Sequence, residues 1–426
     1  MSHAPARLLE RLQDRLPEAT RRALRRIVSL AEKEAVDLYL VGGGVRDLLL
    51  GEEQVDLDLV MEGATLALAS AAAAALEARV TAHPRFGTAV VQGEAFRLDL
   101  AQARTERYQR PGALPTVTPA RLVEDLARRD FSINAMALRL SEPRPGELID
   151  HHAGREDLRQ QRVRVLHDDS FRDDATRILR ALRYAGRLGF RLAPETEALL
   201  RRDLSYLDTI SGARVRHELE AIAREERATA IVRLASRYGA LAALHPALHA
   251  GERVLAAVER LREVAPSHRD AVLLSLLLAD ASPAQAEGAT TRLALTGRQA
   301  KAVHGLLALR EQEAKLARAT LRPSEATRLL SPQPVATVEA FALWAQQPLA
   351  VERACRYLEA WRFVRPRLNG RDVEALGVPH GPQVGAALAA LREARLDGRT
   401  KDREGEMALI RRLKLDQERL TEVNRG

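Results

Sequence analysis

Asp56-Leu57-Asp58 sets two carboxylates two residues apart in the alternating run Val55 to Met61, and residues i and i+2 of a strand point to one face. Like charges that close repel unless a cation lies between them, and Mg2+ takes carboxylate oxygens together with substrate phosphates. A metal pair held there could activate a hydroxyl and stabilise departing pyrophosphate. A solvated strand edge would carry the same pattern. Asp99, in the alternating run Phe96 to Leu100, either brings a third carboxylate to that face or stays a surface residue. Upstream, Gly42-Gly43-Gly44-Val45-Arg46-Asp47 removes side chains where backbone N–H groups could approach an anion, with Arg46 just beyond. This turn has neither the Gly-Lys-Ser/Thr of a Walker loop nor GxGxxG spacing.

The elements that must position these residues are legible in outline. Residues 5 to 35 carry helical periodicity, and Asp37 to Val41 is a strand that runs into the glycine turn. Val55 to Met61 reads as a second strand, Ala64 to Ala78 as a helix, and Ala89 to Val91 and Phe96 to Leu100 as further strands around Gly93. A proline-broken segment, Arg110 to Pro115, precedes the apolar-rich Phe131 to Leu140, and the first domain is expected to close near residue 160. From Asp169 onward nearly every segment is helical, with breaks at Pro194, Gly212, Pro246, Pro266, Pro283, Pro323 and Pro332.

Composition narrows the classes. The chain has 426 residues, enough for about three domains, each with its own core. Lys and Arg number 66 against 58 Asp and Glu, a net +8 that suits an anionic partner. One cysteine, Cys355, excludes an internal disulfide framework and a Cys-based zinc site, and a reducing, cytoplasmic compartment is expected. No run approaches the roughly 18 apolar residues of a membrane span, so no membrane partner is expected. Aromatics at 4% argue against a strand-rich sandwich. His151, His152 and His167 have no metal-ligand spacing and are read as non-metal, and Cys355 as a buried rather than catalytic residue.

The blocks Leu40 to Gly51 (LVGGGVRDLLLG), Asp56-Leu57-Asp58 and Arg128 to Ala135 (RRDFSINA), in that order, resemble the class II tRNA nucleotidyltransferases and bacterial poly(A) polymerases, of the DNA polymerase beta-like superfamily. The resemblance is close over residues 36 to 225 and loose beyond. It implies an α+β fold: a small N-terminal polymerase-beta-like head on a mixed sheet, followed by an all-helical neck, body and tail. The expected segments are a head at 1–160, a neck at 161–225, a body at 226–350 and a tRNA-binding tail at 351–426. It further implies that Asp56 and Asp58 bind Mg2+ and that Gly43 and Arg46 hold the triphosphate. Arg129, Asp130 and Asn134 match the block that contacts the nucleotide's sugar and phosphates, work that a guanidinium beside a carboxylate can do. Ser132 stands where the family often has Thr.

Asp173 to Tyr184 (DDATRILRALRY) can be read on a helical wheel with Asp174 at zero and about 100° per residue. Arg177, Arg180 and Arg183 then share one side, and Ala175, Ile178, Leu179 and Leu182 the other. An ordinary solvated helix would look alike. The functional alternative rests on base chemistry: cytosine and adenine each present an amino donor beside a ring-nitrogen acceptor, whereas uracil and guanine present a carbonyl and a ring N–H. Asp174 accepting and Arg177 donating would suit C and A and oppose U and G, with no nucleic-acid template. By the resemblance, Asp174 and Arg177 match the family's base-reading positions, and Arg180 and Arg183 match positions used around the nucleotide. Asp173 replaces the usual Glu.

Within this family, members add all of CCA, only CC, only the terminal A, or poly(A). The stretches Asp56 to Gly63, Ala103 to Pro115 and Ser170 to Arg177 look most like those of A-adding members. Arg104 to Pro119 lies where the family has a flexible loop important for A addition, and Arg104 is a candidate site residue. The expectation is therefore AMP transfer from ATP to tRNA ending in CC, after a separate CC-adding enzyme; complete CCA addition from CTP and ATP is the alternative, and poly(A) addition a further one. Arg214 and Arg216, in Ile210 to Leu219, are expected to position the neck, contact RNA or follow a simple helix cap, and Trp361 to Arg367 sets arginines among two aromatics as a candidate RNA contact.

Overall fold

The computed structural model describes residues 5–423 other than 54, 64, 108, 109, 111, 113 and 114. These fall into two compact units, one of residues 1–218 with 234–244 and one of residues 219–233 with 245–426. The first unit takes in the segment expected as the head and the expected neck up to residue 218, whereas residues 219–225 of that neck fall in the second unit.

Two helices open the first unit, α1 (Pro5–Arg15) and α2 (Glu18–Lys33), separated at Pro17 where one helical run was expected. Proline lacks the N–H that would continue the ladder, so it starts α2 instead. Strand β1 (Leu38–Val41) is buried throughout and leads through Gly42 into α3 (Gly43–Leu50), which ends on Gly51 in the left-handed conformation. Next come β2 (Asp58–Met61), α4 (Thr65–Ala75), β3 (Arg79–His83), β4 (Thr88–Gln92) and β5 (Arg97–Gln102). A hairpin of β6 (Arg104–Arg107) and β7 (Thr116–Pro119) precedes α5 (Leu122–Ala127), β8 (Ala137–Arg139) and β9 (Leu148–Ile149). The main sheet has seven strands in the order β3-β4-β5-β2-β1-β8-β9. It is mixed, as expected: β2 and β5 run parallel and every other neighbouring pair antiparallel. Tyr39, Val41 and Val60 pack with Leu122 and Leu126 of α5 under this sheet.

Beyond the sheet the first unit is helical: α6 (Gly154–Arg159), the short parallel pair β10 (Arg162–Val163) and β11 (Arg191–Leu192), α7 (Ser170–Asp173), α8 (Thr176–Leu188) and α9 (Pro194–Asp203). Asp173 to Tyr184 is not one helix. Asp174 is extended (φ −143°, ψ 99°), and α8 starts two residues later. An aspartate bonds readily to nearby backbone N–H groups, so it favours the cap over the helix interior. The apolar face is as the wheel predicts, with Ala175, Ile178, Leu179 and Leu182 fully buried.

The second unit is helical apart from its connections, and its core is centred on the buried helix Arg269–Leu277 and on Phe341 in helix Val335–Trp344. A smaller cluster of Leu368, Val373, Leu391 and Ile410 holds its last helices together. Among the described residues no helix is long and apolar enough to cross a membrane.

Candidate active site

Within the first unit a polar cavity of about 460 Å3 is lined by seven arginines and six carboxylates. The structure brings Gly43, Arg46, Asp56, Asp58, Arg129, Asp130, Asn134, Asp174, Arg177, Arg180 and Arg183 to its walls. Asp99 and Arg104 are not among the lining residues.

The glycine segment turns at Gly42 (φ 68°) and then continues as the first turn of α3, so Gly42 and Gly43 present a helix start to the cavity. A Cβ on Gly42 would lie 2.7 Å from Nη1 of Arg129, and one on Gly44 would lie 2.3 Å from the carbonyl oxygen of Asp56. Gly44 therefore sets how closely the Asp56 backbone approaches α3. Gly44→Ala is expected to cost about 1–3 kcal/mol through overpacking and to shift Asp56. A lowered urea midpoint together with slower transfer checks this, and a wild-type midpoint would contradict it.

Asp58 begins β2 and Asp56 lies before the strand rather than within it, yet both line the cavity. Asp58 is exposed where it opens onto the cavity, but desolvation by the surrounding protein pushes its carboxyl above the usual range, Asp99 and Asp56 add to the effect, and Arg129 opposes it. A carboxylate whose charge is disfavoured by desolvation and by like charges is one that a cation relieves. Asp99 pairs with Asp58 across the parallel ladder, yet its carboxylate takes both Nε and Nη2 of Arg97 at 2.8 Å. Among the described residues no set of three or more His, Cys, Asp or Glu is arranged to hold a metal. Asp56 and Asp58 nevertheless fit Mg2+, which is commonly held by one or two carboxylates and completed by phosphates and water.

Arg46 is buried, and its Nε and Nη2 donate to Asp47 at 2.8 and 2.9 Å while Nη1 donates to Asn134 Oδ1 at 2.7 Å. Asn134 Nδ2 donates to Asp130 Oδ1 at 3.0 Å, and Arg180 reaches Asp130 Oδ2 through Nε (3.0 Å) and Nη2 (2.7 Å). One network thus runs from the glycine turn to α8. Asp130 also accepts from the Phe131 backbone N–H at 2.8 Å, so its four acceptor positions are filled and none is open to a ribose hydroxyl. Arg129 pairs with Asp125 at 2.9 Å rather than with Asp130.

Burial opposes ionisation of Asp125 and Asp130. Arg129 and Arg128 at the first, and Arg180 with Asn134 at the second, outweigh it and hold both carboxyls below their usual range. Groups with depressed folded pKa stabilise above the unfolded value near 3.9 and lose that contribution as pH falls through the folded value. Urea stability is therefore expected to hold from pH 7 to about 5 and to fall below about pH 4, less steeply in Asp130→Asn. An acid limb unchanged by the substitution would contradict this.

Arg177 is buried, donating to Ser170 Oγ (2.8 Å) and to the Arg128 carbonyl (2.7 Å). Asp174 Oδ1 accepts from the N–H (3.0 Å) and Oγ1 (2.7 Å) of Thr176, capping α8, and Oδ2 accepts from Arg214 Nη2 at 2.7 Å. Arg214 thus ties the helix Gly212–Arg224 to the start of α8. Arg104 bonds Glu106 and the Phe86 carbonyl outside the cavity, while Glu106 itself lines the cavity and accepts from Arg128 at 2.7 Å. In the expected A-addition loop, positions 108, 109, 111, 113 and 114 lie outside the described residues. Cys355 is half-buried, with its thiol pushed up by burial.

Asp47, Glu106, Arg128, Tyr184 and Arg187 line the cavity but were not singled out as site residues in the sequence. Arg187 prolongs the arginine spacing of α8, a signal that was available. Glu106 lay inside the stretch Ala103 to Pro115 that resembles A-adding members, but nothing in its spacing distinguished it from its neighbours before the β6/β7 hairpin placed it.

Residues 38–164 match the family model described as "Poly A polymerase head domain", and residues 189–252 that described as "Probable RNA and SrmB- binding site of polymerase A". The A-adding tRNA nucleotidyltransferase of Geobacter sulfurreducens is 32% identical over 93% of this chain, which spans 47% of that protein's length. The CC-adding tRNA nucleotidyltransferase of Deinococcus radiodurans is 35% identical over 88% of this chain and 89% of its own. Among solved structures, the Thermotoga maritima CCA-adding enzyme complexed with tRNA superposes with a TM-score of 0.75 at 27% identity, covering 95% of this chain and 97% of that one. The chain belongs to the tRNA nucleotidyltransferase family, whose members are enzymes with a poly(A) polymerase-type head.

Proposed function

We propose that this chain transfers AMP from ATP to the 3′ hydroxyl of tRNA ending in CC. The observation that carries the reading is one cavity holding the Asp56/Asp58 pair together with the Asp174/Arg177 pair. When bound at Asp56 and Asp58, Mg2+ supplies Lewis-acid activation of the hydroxyl and charge neutralisation at the leaving pyrophosphate.

The remaining work belongs to the chain. The start of α3 and the surrounding arginines accept the triphosphate. Asp174 Oδ2 keeps a lone pair beside its Arg214 bond, enough to accept one amino N–H of adenine. Arg177 commits two of its five N–H donors to Ser170 and Arg128, which fixes its plane and leaves donors for a ring nitrogen. Exposed Phe363, beneath the Arg362 guanidinium at 4.8 Å, offers a stacking surface to RNA in the second unit.

A-only specificity is supported by the A-adding relative aligned over 93% of the chain. The CC-adding relative, matched over nearly its whole length, favours a second reading in which CTP is also used. A test of tRNA as substrate is ATP label incorporation into a CC-ending tRNA transcript and into an unstructured RNA of equal length. One added residue on the transcript alone is expected; a ladder on the unstructured RNA would instead indicate poly(A) addition.

A further inference from the structure

We propose that Tyr184 is a positioning residue that holds three arginines of the cavity in register for the triphosphate, an inference that rests on the nucleotidyl-transfer reading of this site. Its ring has guanidinium carbons of Arg46 at 4.9 Å, Arg183 at 5.1 Å and Arg180 at 5.5 Å from its centroid. Arg46 comes from the start of α3, while Arg180 and Arg183 come from α8 along with Tyr184 itself. The ring is therefore the shared contact between the phosphate turn and the neck helix. It is 8% exposed and stands edge-on to fully buried Phe131, with centroids 5.8 Å apart and planes at 79°.

Three like charges around one ring would separate if nothing held them. Each has a carboxylate behind it: Asp47 and Asp130 accept hydrogen bonds from Arg46 and Arg180, and Glu218 lies 3.5 Å from Arg183 Nε as an ion pair without a hydrogen bond between those atoms. Those partners fix where each guanidinium is anchored, and they come from different elements. The ring fixes how far apart the guanidiniums sit. Its electron-rich π system attracts all three, and its rigid volume prevents them from collapsing onto the carboxylates opposite. The hydroxyl accepts from Arg180 Nη2 at 3.3 Å and also reaches Arg46, so Tyr184→Phe separates the phenol's share from the ring's. Cation–π attraction strengthens where water is displaced, as in this largely buried cluster.

The test compares Tyr184→Leu and Tyr184→Met with Tyr184→Phe, reading KM for ATP, KM for tRNA, kcat and inhibition by inorganic pyrophosphate. The two aliphatic variants are expected to raise both the ATP KM and the pyrophosphate inhibition constant by about tenfold, with the tRNA KM little moved. Tyr184→Phe is expected to recover most of that loss. A ring that serves only folding would lower the active fraction, and hence kcat, at unchanged ATP KM; that result overturns the proposal, as does a Phe variant no better than Met. Should the Leu variant fail to fold by circular dichroism, Met, nearer the ring in length and flexible, carries the comparison. Absence of transfer by the wild-type chain would instead reject the nucleotidyl-transfer reading.

Discussion

Asp58→Asn is expected to lower nucleotide transfer by about three orders of magnitude or more, and chelation of divalent cations to do the same to the wild-type chain. The basis is the position of Asp58. Its carboxyl begins a central strand, faces the cavity and is disfavoured as an anion by desolvation and by two other carboxylates. An uncharged amide keeps the shape and removes the ligand charge, so fold and cation binding are separated in a single variant. Unfolding midpoints should stay within about 1 kcal/mol of wild type, since relieving like-charge crowding offsets the lost hydrogen-bond capacity. Transfer by Asp58→Asn at near wild-type rate with Mg2+ present would remove the metal assignment.

Asp174→Ala is expected to relax the choice among the four triphosphates by roughly 100-fold or more, because recognition by a buried acceptor and donor rejects mismatched edges by up to about 10⁴. This substitution also deletes the α8 cap and the partner of Arg214, so a stability loss of about 1 kcal/mol accompanies it. Asp174→Asn separates the two effects. Its amide oxygen can still cap Thr176, whereas its NH2 confronts the amino group of adenine. The Asn variant is therefore expected to keep the bonds to Thr176, to lose stability only through its NH2 facing Arg214, and still to lose preference for A over G and U. Unchanged selectivity in both variants would reject Asp174 as a reader of the base.

Sequence reasoning reached these residues by local spacing, and its errors fell where spacing stops being informative. Asp56 and Asp58 read as a strand pair, although Asp56 sits before β2 and its backbone lies close against Gly44 of α3, a contact that spacing does not show. The helical wheel placed Arg177, Arg180 and Arg183 correctly on one face but gave Asp174 a helical position that its capping bonds do not allow. Helix α3 was hidden because Gly42-Gly43-Gly44 reads as a turn, glycine being a poor helix former. Strand β3 is exposed at every residue and so has no alternation to detect. Asp130 was legible as a site residue, but its saturation by Phe131, Asn134 and Arg180 depends on a contact fifty residues away. Tyr184 closed a visible motif, and only the packing of Arg46 against it reveals what the ring touches.

The most direct test of the account is label incorporation from CTP and from ATP into two tRNA transcripts, one lacking CCA and one ending in CC. A single A added only to the CC-ending transcript, with no label from CTP on either, is the predicted result. C followed by A on the bare transcript, or C alone, would contradict the assignment as an A-adding enzyme.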